Sequence, residues 1–277
     1  MKKIYDFSGE PAYRNYTIKD LFELKGKKKL TQINVKNSIE AKIALEANID
    51  LLITGYKDVK EIRSIAKNKF ITAAIPFTEF KTKDDILSAS LKVLEQGADA
   101  VYTARSPQVV EYLSNESIPV MAHLGLVPRK SIITGGLQAF GKTSDEALIL
   151  LQNFKSMENA GAFSVEAEVI AEKTLEFISQ NCKIITISLG SGNNGDVNYL
   201  FMDDICGENR NLPRHAFSFA KVYKLRDKIY DEKLKAVKKF SKKAKTNKFV
   251  PQHKIVQITP ENLRIFKKNA IKLLNNK

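Results

Sequence analysis

The stretch "GADAVYTARSPQVVEYLSNESIPVMAHLGL" (97–126) decides the fold. After a Gly-Ala that closes one helix comes "ADAVYTA" (98–104), a short apolar run whose β-branched and aromatic residues suit a buried strand. Ser106 and Pro107 then stand in the order of an N-cap and a first helical residue. "PQVVEYLSN" keeps helical spacing, and "IPVMAHLGL" (118–126) is a second apolar strand. Strand, helix and strand in one short stretch form a unit with parallel strands and a right-handed crossover.

The same alternation runs in both directions. Further strands are expected at 29–35, 49–55, 69–77, 162–168, 183–190 and 199–206. Amphipathic segments such as "NSIEAKIALEAN", "KDDILSASLKVLEQGA" and "SDEALILLQNFKSMENAGA" lie between most of them. A recurrent "GA" or "AN" before a strand reads as a helix C-cap. Eight strands in 277 residues give an α/β protein, a (β/α)8 TIM barrel, over residues 1–245. The last helix is expected within "SFAKVYKLRDKIYDEKLKAVKKF". Residues 246–277 form a basic C-terminal extension packed on the barrel or on a neighbouring subunit.

Composition excludes several classes. No apolar run reaches membrane-spanning length, and "MKKIYDFSGE" has no apolar signal region. Cys182 and Cys206 are far apart, without metal-ligand spacing, which suits a cytoplasmic protein with reduced thiols. The net charge of +14 is concentrated: Lys233 to Lys277 holds 14 Lys or Arg against the single acid Glu261. The remainder carries 31 basic and 30 acidic residues. A cationic tail on a neutral body reads first as a solvated helix, and no zinc-finger, zipper or RNP-like pattern argues for nucleic acid.

In a barrel, chemistry sits just past the strand ends. His123 ends a strand at the mouth, where an imidazole can exchange protons or donate hydrogen bonds. Glu166 and Glu168 are two apart in "SVEAE" and share one face; if it faces inward, a buried carboxylate with a raised pKa can act as a base. "GSGNNGD" (190–196), with Gly190, Ser191 and Gly192, is either an anion-binding loop or a plain turn.

Taken together, "IPVMAHLGLVPR", "ITGGLQAFGKTSDEAL", "NAGAFSVEAE" and "ISLGSGNNGDVNYLFMDDICG" resemble ketopantoate hydroxymethyltransferase, as do "IPF" (75–77) and "FVPQH" (249–253). The likeness runs in order from about Thr17 to His253. It implies a barrel of the phosphoenolpyruvate/pyruvate type in a homo-oligomer. It also implies transfer of a hydroxymethyl group from methylenetetrahydrofolate to a 2-oxo acid in pantothenate synthesis. His123 and Glu168 match the family's active-site His and its proton acceptor, and Gly190, Gly192 and Asp196 its glycine loop, with Ser188 in place of one glycine.

The metal site does not carry over. The family's two metal-binding aspartates correspond to Tyr56 and Ala74, its metal-linked Glu to Ala104 and its substrate lysine to Tyr102. A Mg2+ chelated at those positions is therefore not expected, and no residue is assigned to a metal. Asp58 replaces a lost ligand only if its turn is remodelled. Lys57 and Arg105 lie beside the vacated places, Arg105 as a fork donor for a substrate carboxylate and Lys57 as a solvated or Schiff-base amine. The expected substrate site is Tyr56, Lys57, Tyr102, Arg105, Gly190, Ser191 and Gly192. The expected function is proton abstraction and carbon–carbon bond chemistry on a small 2-oxo acid or related carboxylic acid. The true hydroxymethyltransferase, with its folate co-substrate, and a non-catalytic relative are the alternatives.

Overall fold

Eight short strands alternate their side chains between two cores. They are β3 (Leu30–Asn34), β4 (Leu51–Gly55), β5 (Phe70–Ala74), β6 (Ala100–Tyr102), β7 (Val120–Gly125), β8 (Ser164–Glu168), β9 (Ile185–Leu189) and β10 (Val197–Phe201). In the computed structural model they pair in parallel and close into a barrel in the order β10, β3, β4, β5, β6, β7, β8, β9. The structure describes residues 1–246 and 250–275, so Phe249 of the "FVPQH" likeness lies outside the described residues.

Leu51, Ile53, Phe70, Ala100, Met121, Ile185, Ile187, Val197 and Tyr199 form one buried cluster, the barrel interior. Their sequence neighbours Val101, Ala122, Val165 and Ala167 belong to another, packed against helix residues such as Leu113, Phe154 and Ile178. This two-residue alternation is what a strand buried on both faces requires. It places Glu166 and Glu168 on the inward side of β8, where His123 pairs in register with Glu166 and Gly125 with Glu168.

The helices start where the sequence says they must. Thr17 and Thr82 form capping boxes with Asp20 and Asp85, and Asn37 and Thr143 accept from backbone N–H groups of their first turns. The expected stops at Asn48, Gly97 and Gly161 all adopt positive φ.

Two expectations are corrected. The eighth strand is Val197–Phe201 rather than 199–206, because Met202–Cys206 turns into a short helix that ends at Gly207 in the left-handed region. No helix joins β9 to β10. Instead 190–196 descends along β9, with Asp196 N–H donating to Thr186 O and Gly195 packed on Ser188. Contacts divide the chain into Met1–Lys221 and Val222–Lys277. The helix Val222–Lys245, expected as the eighth barrel helix, goes with the second unit, ahead of the boundary at 245/246. Neither it nor the helix Pro260–Asn275 buries a residue. Among the described residues no helix is long and apolar enough to cross a membrane.

The lower end of the barrel is closed by ions. A hairpin of β1 (Lys2–Tyr5) and β2 (Pro11–Arg14) brings Arg14 to Asp99, just before β6, with Nε 2.6 Å from Oδ1. Arg63 Nη2 lies 2.6 Å from Oδ2, which also accepts from Ile71 N–H at 2.8 Å. The Asp99 and Arg14 side chains are almost wholly buried, so removing one partner strands charge in low dielectric. Asp99→Ala is therefore expected to cost about 3–5 kcal/mol, read as a lower urea midpoint. A loss below about 1 kcal/mol would mean the ions behave as a solvated surface pair.

Candidate active site

At the upper end β6, β7 and β8 bring three polar side chains together. The Tyr102 hydroxyl is 2.7 Å from His123 Nδ1 and donates to Glu166 Oε1 at 3.0 Å. On the other side of the ring, His123 Nε2 is 3.5 Å from Glu166 Oε1 and 3.0 Å from Glu168 Oε2. The His123 and Glu166 side chains are each 4% exposed and that of Glu168 8%. The 3.0 Å contact is an ion-pair distance, but its direction is wrong for a hydrogen bond, and Nε2 is left without a hydrogen-bond partner.

The backbone at this point leaves little freedom. Gly125 has φ +85°, and a Cβ there would stand 2.2 Å from Glu168 O, so β7 approaches β8 as only glycine allows. Leu126 N–H donates to that same carbonyl at 2.7 Å. Val169, immediately after Glu168, has φ 51°, a costly conformation for a β-branched residue, on the order of 1–3 kcal/mol. Hydrogen bonds from its N–H to Leu189 O and from Phe140 N–H to its carbonyl hold it there.

Burial and charge oppose each other inside the cluster. Burial pushes the His123 imidazolium pKa down, but the charge of Glu166 and the contact with Glu168 outweigh it and the net shift is upward. Burial raises the Glu166 carboxyl, against the lowering pull of His123, and the charge of Glu168 raises it further. The phenols of Tyr102 and of Tyr199 on β10 are pushed well above the ordinary range, first by burial and then by Glu166. Tyr102 therefore stays a neutral hydroxyl, donor and acceptor at once.

The other expected site residues lie apart from this cluster. Tyr56 packs edge-on against Phe80 with Lys92 over its ring. Lys57 is 74% exposed, 3.8 Å from Glu79. Arg105 donates to the Phe77 and Phe80 carbonyls and stacks on Phe77, tying down the loop after β5. Gly190 lies under His215, and Ser191 is buried, accepting from Ile170 N–H and donating to Ala167 O. Gly192 abuts Glu172, whose Oε1 accepts from Asn193 N–H at 3.3 Å. The glycine loop thus already holds a carboxylate of its own chain. Asp196 lies at the foot of β10, binding Lys25, Thr186 and Gly26. Asp58 folds back over the end of β4, its Oδ2 2.8 Å from where a Cβ on Gly55 would be.

Sequence reasoning missed Lys130. It follows Pro128 in a short 3-10 turn after β7 and lines a cleft of about 340 Å3 together with His123, Leu124, Val127, Gln138 and Phe140. Burial lowers its pKa, and among the described residues no carboxylate pairs with it, although Glu146 lines the same cleft. A lysine in the loop after a barrel strand was the available signal.

The expectation that no residue would hold a metal is also corrected. His123, Glu166 and Glu168 each offer a ligand atom, all within 4.8 Å of one another. The unpartnered Nε2 and two carboxylates fit a divalent cation, while Tyr56, Ala74 and Ala104 supply no ligand where the resemblance places Mg2+. A group able to hold a cation is thus present on β7 and β8.

The model of the family described as ketopantoate hydroxymethyltransferase matches residues 55–252. The chain belongs to this family. A 3-methyl-2-oxobutanoate hydroxymethyltransferase from Pseudothermotoga lettingae is 30% identical over 252 residues, covering 82% of this chain and 93% of that one. The enzyme of the same name from Thermosipho melanesiensis is 29% identical, with 84% and 96% covered. A candidate phosphonomutase from Burkholderia cenocepacia superposes with a TM-score of 0.52 at 10% identity, over 81% of this chain and 99% of that one, a likeness of fold alone.

The linked shifts fix a pH dependence for the metal-free protein. Glu166 and His123 both hold protons more tightly folded than unfolded. The Glu166 contribution declines as pH rises above its unfolded value, about 4.3. The His123 contribution is complete below about 6.5 and is lost as pH rises through its folded value. EDTA-treated protein is expected to melt lower at pH 8 than at pH 6, with Glu166→Gln flattening the difference. A profile that rises with pH in both proteins would contradict this.

Proposed function

We propose that this chain is an enzyme that removes a proton next to the carbonyl of a small 2-oxo acid and uses the resulting enolate in carbon–carbon bond chemistry. The observation that carries the reading is the buried His123, Glu166 and Glu168 cluster at the barrel mouth, whose His123 also lines a cleft holding Lys130 and Glu146. Family membership supports the same reaction class.

Lys130 anchors the substrate carboxylate, the part first given to Arg105, and the apolar sides of Leu124, Val127 and Phe140 take a short alkyl chain. Glu168, the most exposed of the cluster, has one oxygen turned to His123 and accepts the substrate proton on the other. Tyr102 holds the imidazole plane through Nδ1 and neutralises part of the Glu166 charge by hydrogen bonding. The buried walls keep water from quenching the enolate. His123, Glu166 and Glu168 would hold the divalent cation that the family's chemistry calls for; when bound, such an ion supplies Lewis-acid polarisation of the oxo group, worth several kcal/mol.

The curated relatives favour a specific second reading, in which the substrate is 3-methyl-2-oxobutanoate and methylenetetrahydrofolate donates the carbon. Complementation of a pantothenate auxotroph separates it from a changed substrate.

Proton exchange tests the common step. The protein is expected to exchange the C3 hydrogen of 3-methyl-2-oxobutanoate or a close 2-oxo acid in D2O, followed by NMR. Glu168→Gln should slow exchange about 10²–10⁴-fold. Lys130→Ala should raise KM with little change in kcat, and Lys130→Arg should recover most of the loss. Unchanged exchange in Glu168→Gln would remove the assigned base.

A further inference from the structure

The Tyr102 hydroxyl has one proton and two acceptors within reach, His123 Nδ1 and Glu166 Oε1. The bond to a carboxylate is charge-assisted and the stronger of the two. With the proton directed to Glu166, the phenol oxygen accepts from Nδ1–H, and Nε2 presents a lone pair. Nε2 has no hydrogen-bond partner, and Glu166 Oε1 at 3.5 Å and Glu168 Oε2 at 3.0 Å lie beside it, off the line a hydrogen bond would take. Three acceptors thus converge in a nearly water-free space. Among the described residues, neither carboxylate is paired with a lysine or arginine.

We propose that His123 Nε2 and one oxygen each of Glu166 and Glu168 bind a divalent transition cation of the Zn2+ or Co2+ kind, in preference to Mg2+. Mg2+ requires near-octahedral oxygen ligands and retains its waters, and it seldom takes imidazole from a buried cage. Imidazole with carboxylates suits later first-row ions, which bind such donors more tightly. Tyr102 is the outer-shell partner that fixes the tautomer, as a carboxylate or carbonyl does for most metal-bound histidines. The cation site of this chain therefore stands on β7 and β8, while the strand ends carrying Tyr56, Ala74 and Ala104 have none.

This assignment deepens the function proposed above, on which its catalytic meaning rests, but it is measured without substrate, so either can fail alone. EDTA-stripped full-length protein is titrated with Co2+ and followed by visible absorption and by melting temperature. One equivalent is expected to give a saturating band, to resist excess Mg2+ and to be displaced by Zn2+. Glu166→Gln and Glu168→Gln, which keep side-chain volume, should abolish the band. Tyr102→Phe should keep it with about 10–100-fold weaker binding. Asp58→Asn, removing the carboxylate over β4, should leave binding unchanged. Absence of a band with a folded wild-type protein, ready displacement by Mg2+, or an equal loss in Asp58→Asn would each overturn the proposal.

Discussion

Two carboxylates and an imidazole are buried together at one end of the barrel, and their electrostatics constrain everything nearby. Like charges at this separation are unfavourable in low dielectric unless a proton, a cation or a hydrogen-bond donor stands between them. Tyr102 provides one such donor. Gly125 and the left-handed Val169 then lock β7 and β8 at the close approach that keeps His123 opposite both acids. The strain at Val169 is tolerated because hydrogen bonds from two neighbouring segments hold it in place.

The surrounding mouth divides its polar groups between structure and binding. Arg105 secures the Phe77–Phe80 loop, Ser191 pins the end of β8, and Glu172 fills the glycine loop. Much of the mouth's anion-binding capacity is thus already used by its own chain, Arg105 Nε excepted. Among the described residues Lys130, in the cleft beside His123, has no carboxylate partner.

Much of the fold was legible because buried parallel strands write continuous apolar runs and their helices carry caps. The stops at Asn48, Gly97 and Gly161 were plain for the same reason. Where the reading slipped, tertiary packing outweighed local pattern. "MDDIC" looked like strand continuation but became a helix stopped by Gly207. Within the site, the shared face of Glu166 and Glu168 followed from spacing alone, but their inward direction depended on closing the barrel. Lys130 was harder to see because its meaning depends on a cleft formed between the loop after β7 and the helix Ser144–Asn159. Position beside a strand end did not say where the long side chains of Arg105 and Lys57 point, Arg105 to the Phe77 and Phe80 carbonyls and Lys57 towards Glu79.

The ion cluster of Asp99, Arg14 and Arg63 fastens the foot of the barrel with no part in the mouth. Architecture and chemistry therefore rest on separate residues, at opposite ends of the same strands. A lineage built this way can rewrite its reacting groups while the scaffold keeps its shape.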